Sequence, residues 1–298
     1  MGEKPVLRPD IAVGRALTEA AWSVLEEARA PLADSLMPDA KVVHDVRKAL
    51  KRWRALLRLL GPLLGAEARG LRTKARDLAR SLAGARDPRS ALDALADLAE
   101  ANPKLAERTL ETIRKRLDRL RISAEATILS EDMRARLQAE LTEMGEAVGE
   151  WSFGDPKFAD VADSLAETYQ RARRSVPEDW QKATADELHD LRKRVVEHRY
   201  QMELIEPLWP RLSRVWIGEA QRLRDRLGRH HDLTVLTELT RPKSALAQWH
   251  SRLTPMIQAH QRDHVRSAAR LAGRLFAEKP SAFRQRLISL WESRTEAD

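Results

Sequence analysis

Cysteine is absent from the 298-residue chain, which excludes a disulfide framework, a thiolate metal site and a thiol nucleophile. No run of about 18 apolar residues occurs, so no segment is expected to span a membrane. The opening "MGEKPVLRPDIAVGRAL" lacks the apolar stretch of a secretory signal, and Val6 stands where a myristoylation pattern needs Ser or Thr. A soluble, cytoplasmic protein is the expectation. Glycine is scarce, at 12 residues, while 33% of the chain is charged; this balance favours long solvated helices over turn-rich β architecture.

Helical periodicity runs from end to end, and no segment alternates with the period of a strand. Breaks are expected at Pro31 and Pro38, Gly61-Pro62, Asp87-Pro88, Asn102-Pro103, Gly154-Asp155-Pro156, Pro177, Pro207 to Pro210, Arg241-Pro242 and Pro280. Asp39 and Asp155 are the expected caps of the helices that follow them. The fold class is therefore all-α, with roughly ten to twelve helices.

The chain also repeats itself. "VHDVRKALKRWRALLRLLGPLL" at 43–64 aligns with "LHDLRKRVVEHRYQMELIEPLW" at 188–209, pairing His44 with His189, Asp45 with Asp190, Arg47 with Arg192, Lys48 with Lys193 and Arg54 with Arg199. Further on, "LARSLAGARD" at 78–87 aligns with "LRDRLGRHHD" at 223–232, and Arg69 with Arg214, at the same offset. One offset held by two separated motifs reads as an internal duplication. The seam falls near "WSFGDP", which divides the chain into a first helical-bundle repeat at 1–150 and a second at 151–298.

Charge is unevenly placed. Residues 41–89 carry fourteen Lys and Arg against four Asp and Glu, although the whole chain nets only +8. On a helical projection His44, Arg47, Lys48, Lys51, Arg54 and Arg58 share an arc of roughly 120°, opposite Val46, Ala49, Leu50, Trp53, Leu56 and Leu57. Arg69, Arg72, Arg76 and Arg80 form a second stripe on the next helix. Such rows repel themselves, so an external anion is the natural neutralising partner. The second copy is weaker: Val196, Glu197 and Glu203 replace Lys51, Arg52 and Arg58, while Arg211, Arg214, Arg222 and Arg229 still share one arc. An asymmetric anion site, dominated by the first half, is expected.

His44-Asp45, His189-Asp190 and His230-His231-Asp232 superficially have the pattern of metal-dependent helical phosphohydrolases. Adjacent helical residues diverge by about 100°, however, and Arg47 and Lys48 on the His44 face would repel a divalent cation. Asp45, Asp190, Asp87 and Asp232 read as orienting or capping groups. The eight tryptophans, Trp22, Trp53, Trp151, Trp216 and Trp249 among them, read as core residues. No aromatic platform interleaves with the basic stripes, as single-stranded nucleic-acid binding would require.

The two His-Asp helices, with "LAGARD" and "LGRHHD" downstream, resemble the CHAD family over nearly the whole chain. The resemblance implies two pseudo-symmetric four-helix bundles with a basic cavity or pore between them. It also implies binding of inorganic polyphosphate and association with polyphosphate granules. Carried over, His44, Arg47, Lys48, Lys51, Arg54, His189, Arg192, Lys193 and Arg199 would line the channel. The predicted polyphosphate-binding set adds Arg58, Arg69, Arg72, Arg76, Arg80, Arg214, Arg222 and Arg229. Some relatives carry an N-terminal triphosphate tunnel domain, and no such segment precedes Asp10. A non-enzymatic module without cofactor or resident metal is expected; a His-Asp phosphohydrolase and a nucleic-acid-binding protein are the alternatives.

Overall fold

The computed structural model describes residues 5–82, 86–103, 105–125 and 129–295. Helix is the only regular secondary structure among these residues, which contain no strand. The first half runs α1 (Val13–Ala33), α2 (Asp39–Leu59), the single turn α3 (Gly61–Leu64), α4 (Ala66–Ser81), α5 (Arg86–Ala101), α6 (Glu107–Glu125) and α7 (Glu131–Gly149). The second runs α8 (Phe158–Arg174), α9 (Ala185–Leu204), α10 (Pro210–Leu239), α11 (His250–Leu275) and α12 (Pro280–Thr295). The second half has one unbroken helix, α10, where the first half has α4 and α5. Residues 83–85 of "LAGARD", between those two helices, lie outside the described residues.

Helix starts differ in detail from the sequence expectation. Asp39 sits in the first turn of α2, behind Pro38, and pairs with Arg134 of α7 at 3.0 Å. Asp155 lies three residues before α8, whose Asp160 accepts from the Lys157 backbone N–H at 2.8 Å. At α9, Thr184 and Glu187 exchange side-chain and backbone hydrogen bonds in a capping box. Pro31 lies in the last turn of α1 rather than ending it. Trp22 is partly exposed and stacks with Arg29, so it is not a core residue.

The apolar stripes converge in a main core that includes Leu17, Leu25, Trp53 and Leu56 from the first half and Leu165, Tyr169, Leu191 and Phe283 from the second. Trp151, at the seam between halves, stacks on Trp53 with centroids 5.9 Å apart. A second cluster joins Leu95, Leu98, Ile113 and Leu117 of α5 and α6 to Leu233, Leu236, Leu253 and Ile257 of α10 and α11. The hairpin of α5 and α6 thus packs on the second half, and both hydrophobic clusters draw on residues from either side of position 150.

One imidazole is wholly inside. His198 accepts a hydrogen bond from Trp216 Nε1 at 2.9 Å and lies among Tyr169, Phe276 and Phe283. Burial, aided by the Arg286 charge, pushes its pKa down to about 3. The folded state therefore binds fewer protons than the unfolded chain between the ordinary imidazole value and that depressed one. Stability is full above about pH 6.5 and falls by ~1.4 kcal/mol per pH unit below it. Denaturant midpoints measured from pH 7 to pH 4 are expected to fall, and to fall less steeply in His198→Gln.

Candidate functional site

The apolar residues of α2 fix its rotation by facing α1 and the main core, which turns its basic stripe toward α4. Arg47 Nη1 donates to the carbonyls of Ala79 and Leu82 at 2.9 and 2.6 Å, tying α2 to the C-terminal end of α4. The helices run antiparallel from there, so Arg54 falls within reach of the Arg76 and Arg80 charges, and Arg58 within reach of Arg72. The two stripes read separately from the sequence thus become one strip.

The α2 and α9 helices also cross antiparallel, and opposite charges meet at two places. Arg52 Nη2 lies 3.0 Å from Glu203, and Arg58 Nε lies 2.6 Å from Glu197. Between these pairs, Gln201 Nε2 donates to the Ala55 carbonyl at 3.0 Å inside the protein. Glu197 and Glu203 occupy the second-copy positions of Arg52 and Arg58. The departures that weaken the second basic stripe therefore supply the complementary charges of the crossing. Glu203 is buried and also pairs with Arg199, while Arg52 reaches Glu27 of α1 at 2.5 Å.

Glu197 is the focus of a larger cationic group. Besides Arg58, its charge acts on Arg54, Arg72 and Arg171, and Arg194 lies 3.9 Å from it. Burial and then the Arg58, Arg54 and Arg171 charges push Arg72 down to about 10, against the opposing pull of Glu197. Burial lowers Arg54 as well, followed by the charges of Arg76, Arg58 and Arg80, with Glu197 again opposing. Even so lowered, Arg72 remains protonated at neutral pH. The shifts record mutual repulsion in a partly desolvated place. Arg72 Nε is buried without a hydrogen-bond partner. Arg171 of α8 and Arg194 of α9 were not singled out by the sequence, because neither lies on the repeated stripes.

The remaining predicted residues divide by half. Among the described residues Lys48, Arg54, Arg69 and Arg72 make no ion pair, and Arg76 and Arg80 share the single carboxylate of Asp77. Lys48, Lys51, Arg69, Arg76 and Arg80 reach solvent. In the second half the cations are engaged one by one. Lys193 pairs with Asp190 at 2.6 Å, Arg222 with Glu219 at 2.6 Å and Arg229 with Asp97 at 2.9 Å. Arg214 donates to the Pro210 carbonyl at 3.1 Å. Arg192 lies over Gly228, where an added Cβ would come within 3.3 Å of its Nε. The His189 ring lies tilted against that of His231, with centroids 4.6 Å apart. Arg199 lies off the strip altogether, held by Glu203 and resting on the Tyr200 ring at 4.3 Å.

His44 is open to solvent on one side, but its ring is crowded enough that desolvation lowers its pKa. Asp45 opposes this, and the charges of Arg89, Lys51 and Lys48 add to it. Asp45 itself is held by Lys41 at 2.7 Å. A cation at His44 would face three positive neighbours, which disfavours the His-Asp metal reading there. A different trio, Asp97, His260 and His264, brings a carboxylate oxygen and two imidazole nitrogens within 4.8 Å of one another. The four-residue spacing in "HQRDH" was the available sequence signal, but its partner lies on α5, more than 160 residues away.

The CHAD domain family model matches residues 16–241. The crystal structure of the CHAD domain from the plant Ricinus communis is similar over 96% of this chain and 95% of that one, with 21% identity and a TM-score of 0.59. That likeness shows the fold. No curated protein matches the sequence.

Arg199 separates a structural role from a binding one. Arg199→Ala removes a buried partner of Glu203 and is expected to cost about 3 kcal/mol in denaturant unfolding, the low end for breaking a buried pair because Arg52 remains. Affinity for polyanions, measured on the folded variant, should stay within about twofold of the unaltered protein.

Proposed function

The chain belongs to the CHAD family, and from that premise we propose that it binds inorganic polyphosphate along the strip formed by α2 and α4, without catalysing its breakdown. The observation that carries this reading is the gathering of Arg54, Arg58, Arg72, Arg171 and Arg194 around the carboxylate of Glu197, with Arg76 and Arg80 beyond. Guanidiniums brought together against their repulsion are preorganised for an anion carrying many charges. Polyphosphate offers about one charge per phosphate and no bases to read, so forked N–H donors serve it better than aromatic faces. The repeated stripe of the second half takes a smaller share, its cations being engaged within the protein, while Arg171 and Arg194 join the cluster from that half. Among the described residues no helix is long and apolar enough to cross a membrane. A cytoplasmic site, with association to polyphosphate granules, completes the proposal.

Titration with long-chain polyphosphate, double-stranded DNA and RNA at matched salt tests it, alongside assays for released phosphate with and without Mg²⁺ or Mn²⁺. Polyphosphate should bind tightest, weaken steeply as salt rises, and survive intact. Preference for a nucleic acid, or metal-dependent phosphate release, would overturn the reading. Arg54→Ala and Arg72→Ala should each weaken binding about tenfold, in line with loss of a charge-assisted hydrogen bond. Glu197→Gln removes the anion already competing for these guanidiniums and should tighten binding several-fold.

Histidine adds a pH dependence of defined sign. Bound polyanion would offset the Arg89, Lys51 and Lys48 charges that help depress His44, raising its pKa in the complex. Affinity should therefore rise as pH falls through the bound-state value, and flatten below the depressed value of the free protein. A His44→Gln variant should lose that part of the rise.

A further inference from the structure

The polar residues between α5, α10 and α11 form a site separate from the arginine strip. His260 and His264 are one helical turn apart on α11, so both rings leave the same face. Each places Nε2 against the same atom, Oδ2 of Asp97 on α5, at 2.9 and 2.8 Å. His264 is buried, and the other two are largely so. Two imidazole nitrogens and one carboxylate oxygen converge from two helices of opposite halves, away from bulk solvent.

We infer that Asp97, His260 and His264 bind one divalent transition-metal ion, of the zinc, cobalt or copper class, that clamps α5 to α11. Two imidazoles and a carboxylate suit borderline cations rather than Mg²⁺ or Ca²⁺, which prefer all-oxygen shells. The ion takes the place of the two Nε2 protons that face Oδ2. Each proton moves to Nδ1 of its own ring, or to solvent where Nδ1 already carries one. A small outward movement of the three side chains opens the space. Arg229 already holds the other carboxylate oxygen, Oδ1, at 2.9 Å, leaving Oδ2 to face the ion in the manner of an outer-shell partner. Three protein ligands leave a fourth position for water or a phosphate oxygen.

Two cations oppose loading, Arg229 on the Asp97 carboxylate and, more directly, Arg226. Arg226 Nη1 lies 3.4 Å from His264 Nδ1. Coordination through Nε2 puts the ring proton on Nδ1, where two donors would meet, so Arg226 turns away when the ion binds. Its removal should tighten the site.

The test uses the full-length protein stripped with a chelator and titrated with Co²⁺ and Zn²⁺, followed by calorimetry, visible absorption and denaturant unfolding. One equivalent should bind, with Co²⁺ giving ligand-field bands and the unfolding midpoint moving upward. Asp97→Asn and His260→Ala should each weaken binding at least tenfold, and Arg226→Gln should tighten it. No binding, or binding undiminished in both weakened variants, would overturn the site. If those variants do not fold, Cu²⁺ electron paramagnetic resonance on the unaltered protein decides the matter: coupling to two nitrogens supports the assignment, and fewer than two refutes it. Polyphosphate affinity is measured separately, so the two readings stand or fall apart.

Discussion

The antiparallel crossing of α2 and α9 is the contact on which the rest of the architecture depends. Its two ends are the ion pairs Arg52–Glu203 and Arg58–Glu197, with the buried Gln201 bond to Ala55 between them. Had the second motif kept arginine at positions 197 and 203, each end would bring two guanidiniums together in a partly desolvated place. Buried ion pairs add little net stability over apolar packing, but a mismatched one is costly. The pairs therefore act on register. They hold α2 and α9 in one relative position, and α4 and α8 take their places around that axis.

The same crossing explains why positive charge is concentrated where it is. Glu203 is sealed between Arg52 and Arg199 and neutralises cations inside the protein. Glu197 faces a group too numerous for one carboxylate, since Arg54, Arg58, Arg72, Arg171 and Arg194 all feel or touch it. One acid completes a closed network and the other only seeds an open one. The first half thereby keeps surplus charge on α2 and α4, whereas Lys193, Arg222 and Arg229 of the second half are paired with Asp190, Glu219 and Asp97.

The halves are joined by more than that crossing. Because α10 continues without a break past the point where α4 gives way to α5, it carries its C-terminal half into the second apolar cluster. There the α5–α6 hairpin meets it. Asp97 is brought to His260 and His264 by the same exchange. Each half contributes to the other's packing, so the apolar core follows the interlocked helices rather than the seam in the sequence.

The all-helical class, the basic stripes and the family were legible in the residues themselves, since a helix's period fixes which side chains share a face. Trp53 and Leu56 facing inward and Lys48 and Lys51 facing outward follow from that period alone. Spacing could also show that Glu197 and Glu203 depart from the first motif. It could not show that they answer Arg58 and Arg52, because that requires knowing which helices cross and in which direction. For the same reason Arg47 and Arg54, on one predicted stripe, separated into a tie to the α4 carbonyls and a member of the arginine cluster around Glu197. Arg171, Arg194 and the Asp97–His260–His264 trio were out of reach entirely. Local sequence determines the face from which a side chain leaves its helix; the packing of distant helices decides which charge, carbonyl or imidazole it meets there.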